Sequence, residues 1–497
     1  MTNVYNIFRD RFQSGEDFIL SPQNTSLATY QDLERRSALY ANRLVELGLK
    51  KGDRVIVQVE KSAEALFVYF ACLRAGLIYL PLNTAYQRHE LEYFVDNADP
   101  GLIVCSPAQE TLFNSIFSGP VFTLDENGRG SINENLDAGT ATFTTVSCSE
   151  NDVAVILYTS GTTGRPKGAM ISHGNLAANG IALHKAWGWE VGDVMLHTLP
   201  IFHIHGLFVA THLAVLNASP IIFLPKFDPA EVIRLLPLAT IYMGVPTNYT
   251  RLLANPDLSI ETCRNMRLFT SGSAPLLPQT FAEFNTRTGH TIVERYGMTE
   301  TGMNTSNPLK GTRKPGTVGF PLPGVSCKVV DNNGNEIAPD KTGNLLVKGR
   351  NVFQGYWRLP EKTREEFTSD GYFKTGDLAS CDREGYISIV GRDKDMIITG
   401  GLNVYPKEIE KIIDELPGVA ESAVIGLPDS DFGEAVTAII VRSTGTEIDE
   451  QTIVQYLKDT VANFKVAKKV YFVETLPRNT MGKVQKNILR ENFQPVS

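Results

Sequence analysis

The 497-residue sequence predicts an α/β fold in two parts: residues 1–392 as a large domain of two parallel-sheet αβ lobes plus a β-rich subdomain, and residues 393–497 as a small α+β domain. Three changes of texture along the chain predict it. β-branched runs alternate with helical spacing on both sides of a polar interval at about 125–151, short strands with Gly/Asp turns follow from Thr317 to Val390, and strands alternate with helices again from about Lys394.

In the first lobe, Asp53 to Val59 reads as a strand, Ser62 to Ala75 as a helix and Leu77 to Leu80 as a strand. The second lobe offers Val153 to Leu157, Val194 to Leu199, Ile221 to Leu224, Ile241 to Val245, Arg267 to Thr270 and Thr291 to Val293. The most apolar stretch, Leu199 to Pro225, contains His203, His205, His212 and Asn217, which a membrane span tolerates poorly, so it reads as buried helix plus strand. Turns at Asp331 to Gly334, Asp370-Gly371 and Glu384-Gly385 punctuate the β-rich region, and Gly391-Arg392-Asp393-Lys394 reads as the joint. Beyond it lie strands Ala423 to Gly426, Val436 to Val441 and Lys469 to Val473, with helices Pro406 to Glu415 and Glu450 to Asp459.

Composition narrows the function. With 47 Lys plus Arg against 55 Asp plus Glu, the charge of −8 argues against a general nucleic-acid binder, which needs clustered positive charge. Six scattered cysteines without a Cys-x-x-Cys pair indicate neither a zinc ribbon nor a disulfide framework. With an N-terminus that lacks the apolar core of a secretory signal, they fit a cytoplasmic protein.

The strongest local signal is Tyr158-Thr-Ser-Gly-Thr-Thr-Gly-Arg-Pro-Lys-Gly168 after a strand. Gly161, Gly164 and Gly168 let backbone amides converge on an anion, Ser160, Thr162 and Thr163 add hydroxyls, and Arg165 and Lys167 add charge. It is a phosphate loop but not a Walker A motif, since Pro166 precedes the lysine and Gly168 follows it. A second cluster, Glu294 to Glu300, is expected just beyond the strand ending at Val293, where ligands of open α/β sheets bind. There Tyr296 can stack on a purine, Thr299 can bond a phosphate and Glu300 can hold Mg²⁺. Asp377 and Arg392 form an acceptor–donor pair suited to ribose hydroxyls. Near the C-terminus Lys483 follows Gly482 in a basic stretch. Of His197, His203 and His205, two are expected to pack, with His203 as the one that lines a ligand pocket.

In this order the runs YTSGTTGRPKG, ERYGMTE, the Thr375 to Asp377 turn, GRDKDMIITGG and PRNTMGK resemble the adenylate-forming enzymes, a superfamily of acyl-CoA synthetases, luciferases and peptide-synthetase adenylation domains. The resemblance covers nearly the whole chain. It implies that the C-terminal domain is mobile and that an acyl-adenylate forms from ATP. By position, Thr159, Ser160, Gly161, Thr162, Thr163, Gly164 and Lys167 would bind the phosphates, and Ser273, Ala274, Pro275 and Tyr296 the adenine. Glu294, Arg295, Gly297 and Thr299 would complete the nucleotide site, Asp377 and Arg392 would hold the ribose, and Glu300 the Mg²⁺. Lys483 would be the catalytic lysine, assisted by Glu300 and Thr163, with Lys394 as hinge and Gly400 and Gly401 lining the pantetheine tunnel for coenzyme A.

One departure points to the acid. Arg295 occupies a position that is usually Gly in long-chain and aryl relatives, so the pocket should be short, and Arg251 can direct a second guanidinium toward it. Two arginines suit a carboxylate at the far end of the substrate. Runs including YLPLNTAY, LPKFDP, SGSAPLL and LPRNTMGKVQKN resemble malonyl-CoA synthetases in particular. That implies malonate, ATP and CoA as substrates, methylmalonate as a secondary one, and Arg251, Arg295, His203 and Ser271 at the substrate carboxylate. The open alternatives are a CoA ligase for another short acid, a ligase loading a carrier protein, or a nucleotide-binding module without turnover; the oligomeric state, monomer or dimer, is not legible.

Overall fold

A computed structural model describes residues 3–12, 15–159, 166–399, 402–429, 433–461, 463–479 and 482–494. Its strands form four sheets. The first lobe is a six-stranded sheet, parallel except where Val153–Thr159 pairs antiparallel with Lys167–Ser172. The phosphate loop therefore spans a hairpin, and its residues Ser160 to Arg165 lie outside the described residues. Helix Ala63–Ala75 is buried along nearly its whole length against this sheet, capped by the Ser62 hydroxyl at one end and by Gly76, at φ +67°, at the other.

The second lobe is a nine-stranded sheet with a parallel centre, as expected, and antiparallel pairs at both edges. Its centre is parallel: Val293–Met298, Leu268–Ser271, Ile241–Gly244, Met195–His197 and Ile221–Phe223 lie side by side. The N-terminal Asp17–Leu20 extends it by pairing in parallel with Ile221–Phe223, and Ser26–Thr29 adds an antiparallel edge. At the other edge, the segment expected to stop at Val293 runs on to Met298 and pairs antiparallel with Gly302–Ser306. The cluster from Glu294 is thus a strand rather than a loop. Alternation sends Glu294 and Arg295 to opposite faces, and only Thr299 and Glu300 occupy the turn.

The β-rich region is a four-stranded antiparallel sheet spanning Val325–Val330 to Ile387–Arg392. The next strand, Ile397–Thr399, belongs to a different, five-stranded sheet whose members include Val419–Asp429, Gly433–Arg442 and Lys469–Val473. Asp393–Asp395 is a single tight turn between the two sheets. The apolar stretch from Leu199 becomes a wide-pitched helical segment, His205–Thr211, running into helix His212–Leu216 and then strand Ile221–Phe223. No helix among the described residues is long and apolar enough to cross a membrane. All six cysteines are free.

The segment 350–357 ties the elements of the site together. Gln354 and Trp357 donate backbone bonds to Met170 and Gly168, and Met170 returns one to Gly355, so the segment lies along the strand that leaves the phosphate loop. Phe353 N–H donates to the Glu300 carbonyl and the Asn351 amide to that of Thr301. Strand Lys167–Ser172 and the Glu300 turn are therefore tied to one another through this segment, by bonds that burial makes costly to leave unmade.

Candidate active site

Strands Leu268–Ser271 and Val293–Met298 end side by side, which brings Ser271 opposite Glu294 and presents Arg295 next to the turn Gly272-Ser273. Arg295 is 3% exposed, and its Nε and Nη2 have no hydrogen-bond partner. In its field stands another buried unpartnered polar atom, His205 Nε2, while the unpartnered Ser271 Oγ is on the strand alongside, in register with Glu294. Neither Arg295 nor Arg251 is in an ion pair among the described residues. Burial pulls the Arg295 guanidinium down to about 9, still charged at neutral pH. A buried cation that meets no internal acid is costly unless something else supplies the anion.

The turn is shaped for this guanidinium. A Cβ on Gly272 would stand 2.4 Å from Arg295 Cζ, so only glycine leaves room. Ser273 takes the left-handed conformation at φ +70°, a strained state for a serine, with its Oγ 3.5 Å from His205 Nδ1. Ala274 is half-buried and Pro275 exposed.

His203 and His205 both face the site. His205 N–H donates to His203 Nδ1 at 3.3 Å. Burial, then Lys483 and Arg295, drive His203 down to about 3, while burial and Arg295 push His205 well below the usual histidine range; both are neutral. His205 is fully buried, as a packing residue would be, and also lies in the field of Arg295. Its signal in the sequence was weak, because a buried histidine in an apolar helix reads as core. Gly272 was legible only as part of a turn.

Arg251 is exposed, at the rim of the site rather than at a buried floor. It lies one helical turn beyond Thr247 on helix Pro246–Leu253, hence on the same face. That face meets the C-terminal domain: a Cβ on Gly482, at φ +75°, would stand 3.3 Å from the Thr247 hydroxyl. The Gly482 bend is part of a hairpin closed by Asn479 N–H to the Lys483 carbonyl, 2.9 Å, and Lys483 N–H to Asn479 Oδ1, 2.9 Å. It directs Lys483 into the cleft among Arg392, Asp377, Arg295 and Glu300. Lys483 stays open to solvent there, yet desolvation in the cleft and then Arg392 lower it to about 8.

Asp377 and Arg392 are directly opposed on neighbouring strands, with Arg392 Nε 3.2 Å from Asp377 Oδ1. Tyr296 is buried and donates its hydroxyl to the other Asp377 oxygen. The three residues form one polar wall. Glu294, buried on the opposite face from Arg295, accepts from Gly316 N–H at 3.2 Å, and burial raises its carboxyl to about 8. Gly297 packs so closely on its hairpin partner that a Cβ would stand 2.2 Å from the Gly302 carbonyl oxygen.

Glu300 is 6% exposed, and its carboxylate accepts the Tyr356 hydroxyl at 3.0 Å. Burial raises its pKa. Lys167 Nζ stands 4.1 Å from the centre of the Tyr356 ring and 3.6 Å from Glu366, on the same side of the site. A buried carboxylate without a direct cation suits Mg²⁺. Thr159 is half-buried at the strand end and Thr299 half-buried in the turn. Lys394 is exposed in the inter-sheet turn, beside an Arg490–Asp395 ion pair of 2.8 Å. Gly400 and Gly401 lie outside the described residues.

Comparison with known proteins agrees with this geometry. Residues 13–357 match the AMP-binding enzyme family and residues 408–483 the AMP-binding enzyme C-terminal domain. The chain is a member of the AMP-binding enzymes. Among relatives, a malonate–CoA ligase of Arabidopsis thaliana is 35% identical over 493 residues, 90% of this chain and 79% of that protein. The ATP-bound crystal structure of MatB from Rhodopseudomonas palustris aligns with a TM-score of 0.97 at 51% identity, over 99% of both chains. The apo structure of that MatB, at the same identity and coverage, reaches 0.85. The arrangement seen here, with Lys483 in the cleft, is therefore nearer the ATP-bound form.

The fit of Gly272 against Arg295 gives a direct test. Gly272→Ala should fold but push the guanidinium aside, lowering kcat/KM for the acid substrate by about 10²-fold, the scale of a small misplacement at a reacting site. Unchanged kinetics would show that Arg295 does not need this seat.

Proposed function

We propose that this AMP-binding enzyme is a malonyl-CoA synthetase, catalysing malonate + ATP + CoA → malonyl-CoA + AMP + pyrophosphate. The observation that carries the reading is the buried Arg295 guanidinium with two unpartnered nitrogens and His205 in its field. A dicarboxylate supplies the missing counter-charge at one end while its other end reacts. Similarity to a malonate–CoA ligase and to MatB supports the same choice. Methylmalonate is expected as a secondary substrate, since one methyl group discriminates by only about 1–3 kcal/mol.

A carboxylate is a poor electrophile, so it first attacks the α-phosphorus of ATP, expelling pyrophosphate and forming malonyl-AMP. In this reading Lys483 offsets charge growing on the α-phosphate, as preorganised donors do at comparable centres. Asp377 takes the ribose, with Arg392 and Tyr296 fixing its carboxylate. Ser273 to Pro275 and Tyr296 border the adenine. Lys167 and Thr159, together with Ser160 to Gly164, contact the phosphates. Glu300 would hold Mg²⁺, which when bound neutralises phosphate charge. Arg295 anchors the distal carboxylate with Ser271 and neutral His203, and Arg251 adds a second guanidinium from the rim.

The CoA thiol then attacks the adenylate carbonyl and AMP leaves. Lys483 occupies the cleft in the arrangement seen here, so the second step requires residues 393–497 to turn about Lys394, bringing Gly400 and Gly401 to the pantetheine path. The six free cysteines support a cytoplasmic setting.

Two experiments test this. A coupled AMP-release assay with CoA over a panel of mono- and dicarboxylic acids should give the highest kcat/KM for malonate; efficient use of benzoate or acetate with neglect of malonate would overturn the reading. Lys483→Ala should lose malonate-dependent ATP–pyrophosphate exchange by about 10²–10³-fold while still converting supplied malonyl-AMP to the thioester. Equal loss of both half-reactions would contradict the division of labour.

A further inference from the structure

Lys61 places an amine where burial lowers its pKa well below the usual lysine range. It follows strand Arg54–Gln58 and immediately precedes Ser62, the N-cap of helix Ala63–Ala75, where the helix end is already positive. Among the described residues it has no ion pair, and its Nζ stands 4.3 Å from the centre of the Phe223 ring. Its hydrogen bonds instead reach across to the second lobe: Nζ is 2.8 Å from His197 Nδ1 and 2.9 Å from the His197 carbonyl oxygen. Such a position costs stability, so the contact it makes needs a reason.

His197 is fully buried at the carboxyl end of strand Met195–His197, two strands from Ser271. Since the Gly206 carbonyl can only accept, the ring proton resides on Nε2, and Nδ1 accepts from Lys61. That Nε2–H donates to the Gly206 carbonyl at 2.9 Å, which also accepts the Thr211 hydroxyl at 3.0 Å. Gly206 is packed so tightly that a Cβ would stand 2.0 Å from the Pro200 carbonyl oxygen. His203 and His205, the residues flanking Arg295, lie within three positions of this anchored carbonyl.

We propose that Lys61 is a positioning residue for the acid pocket: by donating to His197 Nδ1 it fixes the imidazole as the Nε2–H tautomer, whose bond to Gly206 holds the turn that sets His203 and His205 against Arg295. Lys61 acts from the other lobe and touches no substrate. The charged and titratable groups facing His197 are Lys61 from the loop before helix Ala63–Ala75 and His205 from segment His205–Thr211. Lys61 opposes protonation of His197, and burial acts in the same direction. Without it, Nδ1 loses its donor and the imidazole gains freedom to change tautomer, while burial, the larger cause, still opposes protonation.

The inference rests on the malonate reading for its kinetic arm only. In the full-length protein labelled with ¹⁵N-histidine, the His197 signal, assigned by its loss in His197→Asn, should show the neutral Nε2–H form throughout pH 5.5–8, with or without substrate. An Nδ1–H tautomer, or titration within that range, overturns the proposal whatever the substrate is. Lys61→Met should lower kcat/KM for malonate about tenfold or more, the scale for loss of an outer hydrogen-bond partner, and leave KM for ATP unchanged. Lys61→Arg, which keeps a donor, should restore part of the rate. A Lys61→Met enzyme with unaltered malonate kinetics, or with malonate and ATP parameters weakened alike, would refute it. If the unaltered enzyme ignores malonate, the substrate assignment fails while the tautomer measurement still judges Lys61.

Discussion

A guanidinium buried without an internal acid is the constraint on which this site turns. Arg295 is buried, yet the protein leaves Nε and Nη2 unpartnered and places His205, whose Nε2 is also unpartnered, in their field. Such a group destabilises the fold on its own. It becomes favourable when an anion of matching shape arrives, and a guanidinium fork matches a carboxylate. The surrounding structure serves that one cation: Gly272 makes room for it, Ser273 accepts backbone strain beside it, and both histidines stay neutral in its field. Selectivity then follows from leaving polar atoms unsatisfied when the wrong acid binds, which discriminates more strongly than pocket length alone.

The remainder of the cleft is organised by connections between distant elements. Segment 350–357 joins the strand after the phosphate loop to the Glu300 turn, and the opposed Asp377 and Arg392 carry the polar wall to the last strand before the C-terminal sheet. The next residues form the inter-sheet turn that holds Lys394. The hairpin around Gly482 closes the other side by packing on Thr247. Lys483 and Arg295 thus reach one cleft from different domains: Arg295 lowers the affinity of Lys483 for a proton, and both lower that of His203.

Much of this was legible in the sequence because the informative residues carry local chemistry. Glycines and hydroxyls after a β-branched run mark a phosphate loop, and short strands with Gly/Asp turns mark the antiparallel subdomain, since both signals reside in a few adjacent residues. What was missed depends on pairing over long separations. Asp17–Leu20 joins the second lobe only through Ile221–Phe223, and the strand at Val293 continues to Met298 because Gly302–Ser306 folds back on it. His205 and Gly272 belong to the site for the same reason: each matters through contact with Arg295, and neither differs in isolation from a core histidine or a turn glycine. Arg251 was expected to share the floor, but helix Pro246–Leu253 exposes it at the rim, a difference of helical phase that residue spacing after the strand did not resolve.

The central claim is that substrate supplies the counter-charge Arg295 lacks. The most direct measurement is the ratio of kcat/KM for malonate to that for butyrate in Arg295→Met against the unaltered enzyme, with the ATP affinity of each as control. Removal of the cation should cost malonate about 3–5 kcal/mol of the kind lost when one member of a buried pair is stranded, and should leave butyrate equal or improved, collapsing or inverting the ratio while ATP binds as before. A ratio that survives the substitution would show that the far carboxylate is recognised elsewhere.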